Sequence, residues 1–514
     1  MVAINLRIFT LLAAIFSANY SFAGTVDTAQ RILNQLGYNA GVVDGLYGGK
    51  TKRALEAFYA DNGETFDGKL DANEVIDLET YLTKNILTLG KQDDAEYRFE
   101  PHQKSKYVDY SVKHEFTYEK GQFFVDKLPR YASLWKEFYG KPPKTNFIED
   151  MKVLRMRNYR PQDCLGVLHD PLFVSRGKFN DQDYRDIYIG CMGQVMTLVH
   201  DDVVRGEKNG SAVTYFFDTL APHWIENDSQ LKLPKYREEG ESFLSEQNVV
   251  ENFMFTYIWF SDWYGTSDEL DQKFKSYFHK FERSRIRHIK SDYDRKFINK
   301  CPDDLYRMRP NWNGRPADKH LVFDACKQEF YPLLYAYMGV RFQDNNYINE
   351  ALFFFKHNAK YTFEEGVNIE VTRGALGPGY AHLTSHLLDR AAFALEQFTN
   401  TNAYTIEGGG KYNTTVGELI LGGIDAYHNP EKYFKYAKLG KDAYISSGDY
   451  REPPDIGNPA HYRLTGSILS ASKSGKWNKY LTSKEDLFAT NYPLYIDPYL
   501  MAKAYNFKPS IEVE

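Results

Sequence analysis

One short stretch of this sequence places an arginine and a tyrosine where they could act together on a substrate. It has the order Glu-x-x-Arg-Gly, followed by a tyrosine seven residues after the arginine, and the three residues are Glu370, Arg373 and Tyr380. A guanidinium neutralises an anion well, and a tyrosine can move a proton where nearby positive charge favours its phenolate. The structural alternative is that Arg373 caps helix carbonyls and Tyr380 is a half-buried core ring.

Two histidines follow directly, and their spacing suggests a second kind of chemistry. His382 and His386 lie four positions apart, so a helix would place both imidazoles on one face, where they could bind a metal. Thr384 and Ser385 stand between them, where a glutamate base would otherwise help. We therefore favour packing or substrate contact, and we predict that His382 binds substrate. Zinc-dependent hydrolysis stays open as an alternative.

The elements around these residues predict how they are held. Glycines and a proline between residues 374 and 379 indicate a turn between helices, so Arg373 and Tyr380 can reach a cleft. Strand signals are scarce, and an all-α domain of helix pairs closing into an incomplete (α/α) toroid fits this pattern. Helical periodicity marks residues 248–263, 270–289, 321–339, 348–357, 381–398 and 415–427.

The composition narrows the class of protein. Hydrophobic residues make up 43% of the 514 and charged residues 26%, which suits a large core under a polar shell. Lysine and arginine number 63 against 69 acidic residues, a net charge of −6. No global positive field therefore favours nucleic acid as a partner.

The first 23 residues have the pattern of a signal peptide. Arg7 precedes the apolar run 8–16, and the small residues Ser21 and Ala23 form a cleavage site before Gly24. The run is too short for a membrane span, and no later stretch offers about 20 apolar residues. We expect a periplasmic or secreted protein with no membrane span after cleavage; an uncleaved anchor or a buried helix is the alternative.

Export would also allow the four cysteines to form disulfides. Two local bridges, Cys164 to Cys191 and Cys301 to Cys326, are our choice among the three possible connectivities.

Residues 24–83 form a small module of their own. Helical patterns at 29–36, 51–59 and 72–82 predict three helices. Leu36-Gly37-Tyr38, the turn 43–48, and Thr51, Ala54 and Phe58 resemble the peptidoglycan-binding type 1 domain. The resemblance implies peptidoglycan as a partner, although Tyr59 stands where that family commonly has glutamine; a retained scaffold is the alternative. A charged linker, 84–105, leads to the large domain, 106–514.

The stretch from Glu370 to Tyr380 resembles the alginate lyase family of polysaccharide lyases. Glu370, Arg373 and Tyr380 fall in the register of that family's Glu-x-x-Arg-Gly signature and catalytic tyrosine, and the residues up to about 430 fit its continuation. The resemblance implies β-elimination on a uronate polymer, with Tyr380 as the base and Arg373 offsetting negative charge. It implies a role for Glu370 in substrate binding, and no metal or other cofactor.

One element of that family is missing from its expected place. An Asn-Asn-His element should stand on an earlier helix, but Cys326 and Lys327 lie near the corresponding position. His320, preceded by Asn313, is the nearest substitute, so we predict His320 as a catalytic residue and Asn313 as a substrate-binding residue. A surface position for His320 is the alternative.

These observations predict an exported polysaccharide lyase that cleaves an acidic, uronate-containing polysaccharide and is held at the cell wall by its module. One alternative is a non-catalytic periplasmic protein that binds polysaccharide and peptidoglycan, suggested by the missing Asn-Asn-His element. The other is a zinc-dependent peptidoglycan hydrolase, suggested by His382 and His386.

Overall fold

The computed structural model divides the chain into two compact units, Met1–Pro101 and His102–Glu514. The residues it describes are 22–36, 38–41, 45–71, 74–75, 77–78, 81, 108–142, 164, 168, 182–229, 240–282, 301, 305, 330–441, 450–454 and 498–511. The predicted linker 84–105 and all but the end of the predicted signal peptide 1–23 lie outside these residues. The predicted domain boundaries stay predictions.

The first unit is built on two helices, α1 (Phe22–Gln35) and α2 (Gly49–Asp61), and residues 74, 75, 77, 78 and 81 are also helical. Apolar side chains from all three segments form one core, which includes Leu33, Phe58 and Leu78. Gln30 fixes the turn between the helices, because its amide donates to the Leu46 carbonyl and accepts from the backbone N–H of Gly45.

The described part of the second unit is helical, with only isolated backbone bridges in place of strands. This finding confirms the all-α class. None of the described helices is long and apolar enough to cross a membrane. In chain order the helices are α3 (Leu128–Tyr139), α4 (Gln182–Arg205), α5 (Ser211–Tyr215), α6 (Ala221–Glu226), α7 (Gly240–Tyr264), α8 (Asp268–Phe281), α9 (Phe330–Phe342), α10 (Asn345–Lys360), α11 (Gly377–Phe398), α12 (Val416–His428) and α13 (Pro498–Tyr505).

Consecutive helices pack as pairs, which is the arrangement that the predicted toroid requires. α9 packs on α10, and α11 packs on α12. A β-carbon added to Gly423 of α12 would lie 1.8 Å from the Ser385 hydroxyl of α11, so only glycine permits this approach of the two helices. A capping box starts α12: the Thr415 hydroxyl accepts from the Glu418 N–H (3.2 Å), and the Glu418 carboxylate accepts from the Thr415 N–H (2.7 Å).

A buried ion cluster joins α7, α8 and α9. The Arg341 guanidinium of α9 lies 2.6 Å from the Asp262 carboxylate of α7 and 2.8 Å from the Asp271 carboxylate of α8. It also donates to the Ser261 hydroxyl (2.9 Å). Because the arginine is buried, it needs these acceptors, and the cluster sets the relative position of the three helices.

The cysteines are disulfide-bonded where the structure describes them. Cys164 bonds to Cys191, as predicted. Cys301 is also disulfide-bonded, and Cys326 lies outside the described residues.

Candidate active site

The loop before α11 is a short 3-10 helix that ends in a tight turn. The 3-10 helix spans Ile369–Thr372 and begins where the Asn368 side chain accepts from the Glu370 N–H (3.0 Å). Gly374 then adopts a φ of +68°, which favours glycine and ends the helix. Arg373 therefore stands at the end of one helix, and Tyr380 stands in the first turn of α11. Both residues therefore flank the turn between helices that the sequence predicts at residues 374–379.

Arg373 and Glu370 form a buried ion pair at this turn. The Arg373 Nε lies 2.5 Å from one Glu370 carboxylate oxygen, and its Nη2 donates to the other at 3.3 Å. Glu370 is 1% exposed and Arg373 is 8% exposed. One hydrogen bond and a second close charge contact hold the guanidinium against the carboxylate. Glu370 therefore holds Arg373 in place, and its predicted contact with substrate stays a prediction.

Tyr380 lies on the other side of the arginine. The Arg373 Cζ is 4.1 Å from the centre of the Tyr380 ring, a cation–π contact. The tyrosine is half-buried, and its backbone N–H donates to the Leu376 carbonyl (3.2 Å) as α11 begins. Glu370, Arg373 and Tyr380 thus form one contiguous row, in which a positive charge lies beside a partly accessible phenol.

His382 and His386 share a face of α11 and are both buried. The His382 ring stacks on Tyr427 of α12 at 4.6 Å. Burial, with a further contribution from Arg390 and His382, holds the pKa of His386 well below its usual value, so His386 is neutral near pH 7. Among the described residues no group of three or more possible metal ligands occurs.

A segment from much later in the chain closes the turn. The Arg451 carbonyl accepts from the Ala375 N–H (2.8 Å), and Gly374 and Arg451 form a parallel backbone bridge. A β-carbon on Gly374 would lie 1.9 Å from that carbonyl oxygen. Sequence patterns do not predict the segment 450–454 at this place, because a single backbone bridge between distant residues leaves no periodic signal. In the sequence, this contact is reflected in the glycine at position 374, which has no side chain to block it.

Two ion pairs involve lysines of the segment Pro430–Leu439, which packs on the 3-10 helix Ile369–Thr372. Glu365 accepts from Lys435 and Tyr436, and although burial opposes the effect, these two bonds lower the pKa of Glu365. Asp425 similarly accepts from Lys432 (2.8 Å) and Tyr433 (2.6 Å). The predicted residues His320 and Asn313 lie outside the described residues, and their roles stay predictions.

The N-terminal unit matches a known family. Residues 23–75 match the model of the family described as "Putative peptidoglycan binding domain". The resemblance noted in the module's turn and helices is therefore confirmed. No curated protein matches the chain.

The chain is also similar to solved alginate lyases. An apo histidine-to-alanine variant of alginate lyase A1-III is 12% identical with a TM-score of 0.43, covering 76% of this chain and 96% of that one. The same variant complexed with tetrasaccharide is 12% identical with a TM-score of 0.41, covering 77% and 100%. Alginate lyase A1-III from Sphingomonas species A1 is 11% identical with a TM-score of 0.36, covering 76% and 100%. The roles of Glu370, Arg373 and Tyr380 rest on the contacts of their own side chains and not on these neighbours.

Proposed function

We propose that this protein is an exported polysaccharide lyase that cleaves a uronate-containing polysaccharide by β-elimination. The observation that carries the proposal is the row in which Glu370 fixes Arg373 and the Arg373 guanidinium lies 4.1 Å from the Tyr380 ring. The row places a fixed cation beside a half-buried phenol, the two groups that a proton transfer next to a carboxylate requires.

The proposed reaction needs one group to move the proton and another to offset negative charge. Tyr380 removes the proton at C5 of the uronate, the electron pair forms the C4–C5 double bond, and the bond from C4 to the glycosidic oxygen breaks. The tyrosine then returns the proton to the leaving oxygen. Negative charge builds up beside the sugar carboxylate during this step, and the fixed guanidinium of Arg373 lowers its cost. This sequence of steps uses no cofactor.

The export part of the proposal has independent support. The buried Cys164–Cys191 disulfide is the type of bond that persists in oxidising compartments such as the periplasm. Together with the signal-peptide pattern of residues 1–23, it supports a periplasmic or secreted location. In that location the N-terminal module would meet peptidoglycan, and the larger unit would meet an anionic polysaccharide.

The test is the ultraviolet absorbance of the unsaturated product. We would incubate the mature protein and its Tyr380→Phe variant with polymannuronate, polyguluronate, glucuronan and peptidoglycan. We expect absorbance to rise on one uronate polymer, and we expect Tyr380→Phe to lose at least about a hundredfold in rate, since it cannot accept the proton. Tyr412→Phe, a change outside the row, should retain full activity. A fully active Tyr380→Phe enzyme would remove the proposed base.

The same panel separates the two alternative functions. Polymer binding without product in the wild-type protein would favour a non-catalytic wall-associated protein, the alternative suggested by the missing Asn-Asn-His element. Release of peptidoglycan fragments that a chelator abolishes would favour the zinc hydrolase, for which His382 and His386 are the candidate ligands.

A further inference from the structure

Within the part of the chain that the structure describes, the positive charge of Arg373 is already shared with Glu370. The Arg373 guanidinium is positive, and the Glu370 carboxylate offsets that charge: one oxygen lies 2.5 Å from Nε and the other accepts from Nη2 at 3.3 Å. Both side chains are buried, so water screens the pair little. A polymer with a carboxylate on each sugar therefore needs a further positive group close to this row.

The lysines near the row already face carboxylates. Lys435 pairs with Glu365, Lys432 pairs with Asp425 at 2.8 Å, and Lys441 pairs with Glu452. To bind a substrate carboxylate, any of these lysines would have to share its charge with its present partner. They are therefore weak candidates for the missing positive group.

Arg451 differs from these lysines in two respects. Its side chain is exposed, and within the part of the chain that the structure describes it has no carboxylate at ion-pair distance. Its backbone is nevertheless fixed, because its carbonyl accepts from the Ala375 N–H (2.8 Å) and it forms the parallel bridge with Gly374. The backbone of Arg451, which carries a long cationic side chain, is thus paired with Gly374, the residue next to Arg373.

We propose that Arg451 binds a carboxylate of the acidic polysaccharide beside the Arg373–Tyr380 contact and so positions the sugar chain for reaction. This inference rests on the proposed function and adds a substrate-positioning residue to it. The planar guanidinium suits a two-point contact with a carboxylate, and an exposed one without an ion pair to any described residue has no such pair to break when substrate binds. Arg451 acts here by binding, whereas Tyr380 acts on the reacting atoms.

The test measures binding separately from turnover. In a Tyr380→Phe background, which cannot complete the reaction, calorimetry would measure binding of tetrasaccharides of mannuronate, guluronate and glucuronate. We expect Arg451→Gln to weaken binding of the preferred tetrasaccharide about tenfold or more, and Arg451→Lys to weaken it less. The matched control is Arg130→Gln, which removes an exposed arginine on α3 and should leave binding unchanged.

Kinetics in the otherwise wild-type protein provide a second readout. We expect Arg451→Gln to raise KM about tenfold while kcat changes by less than about threefold, since a contact made equally before and during the reaction affects KM alone. The increase in KM should shrink at high salt, where the carboxylate contact is screened.

The outcomes separate the two proposals. If Arg451→Gln binds and turns over substrate like the wild type, the role of Arg451 is wrong and the lyase proposal stands. If the Tyr380→Phe protein binds none of the three tetrasaccharides and the wild type forms no unsaturated product, the proposed function fails and the role of Arg451 fails with it.

Discussion

At the scale of single residues, the Glu370–Arg373 pair decides whether a charged group can be held at the start of α11. A buried arginine is costly unless a partner offsets its charge, and Glu370 offers two oxygens within 3.3 Å. Stability and the proposed activity at this site therefore depend on the same pair of side chains. The same side chain that makes the arginine tolerable also aims it at Tyr380.

We expect Glu370→Gln to destabilise the fold by about 3 kcal/mol, because it removes the carboxylate that faces the buried Arg373 guanidinium. Elimination activity should fall at least about a hundredfold, since the guanidinium is no longer fixed. Urea unfolding and the absorbance of the unsaturated product would measure the two effects. Glu407→Gln, an exposed control, should change stability by less than about 0.5 kcal/mol.

The double variant Glu370→Gln/Arg373→Met separates the two roles of the pair. Removing both charges should restore most of the lost stability without restoring activity. A Glu370→Gln protein that unfolds at the wild-type urea concentration and retains its rate would show that the ion pair has no role in holding Arg373.

At the scale of elements, the turn between the 3-10 helix and α11 depends on contact with residues 450–454. Gly374→Ala introduces a β-carbon 1.9 Å from the Arg451 carbonyl oxygen, in a backbone conformation that disfavours side chains. Gly409→Ala is the matched control, because Gly409 has almost the same φ, +67° against +68°, with nothing within 4 Å of its added β-carbon.

We expect Gly409→Ala to cost about 1 kcal/mol from backbone strain alone. Gly374→Ala should cost about 3 kcal/mol or more, since two backbone segments must also separate, and it should reduce elimination activity at the same time. Urea unfolding and the product assay on both variants would measure the difference. Equal costs for the two variants would mean that the contact with residue 451 does not hold the turn.

The helices that the sequence predicts best are those whose ends are set by residues close together in the chain. The prediction for 415–427 matches α12 closely, because Thr415 and Glu418 form a capping box recognisable from residue types alone. The helix predicted at 381–398 starts four residues earlier in the structure, at Gly377. Pro378 and its flanking glycines indicate a turn in the sequence. In the structure Pro378 occupies the first turn of α11, where its missing N–H costs no hydrogen bond.

The contacts of the site that could not be predicted join residues far apart in the chain. Spacing alone places Glu370, Arg373 and Tyr380 in one region, and the structure brings them into contact. The bridge between Gly374 and Arg451 joins residues far apart in the chain and depends on tertiary packing, which single-sequence periodicity does not record. The same holds for the stacking of His382 on Tyr427.

At the scale of the whole molecule, the two units have separate cores. Among the residues that the structure describes, the buried core of the first unit runs from Val26 to Leu78, and the buried cores of the second begin at Phe123. The net charge of −6 also means that the protein as a whole does not attract an anionic polymer. Positive groups at the candidate site must therefore supply the attraction for such a polymer. Because the two cores are separate, the N-terminal module can bind its own ligand independently of that site.

We therefore expect deletion of residues 24–83 to separate attachment from catalysis. Because the described core residues of the second unit all lie outside the deleted segment, the shortened protein should keep its helical circular dichroism and its kcat/KM on a soluble uronate polymer within about twofold. Its co-sedimentation with insoluble peptidoglycan should fall about tenfold or more, since the unit that matches the peptidoglycan-binding family is removed. Co-sedimentation with insoluble cellulose, a glycan without peptides, is the control for non-specific retention. If the deletion leaves peptidoglycan binding intact, the module is a scaffold. If it abolishes turnover of the soluble polymer while the fold is kept, the module is part of the catalytic machinery.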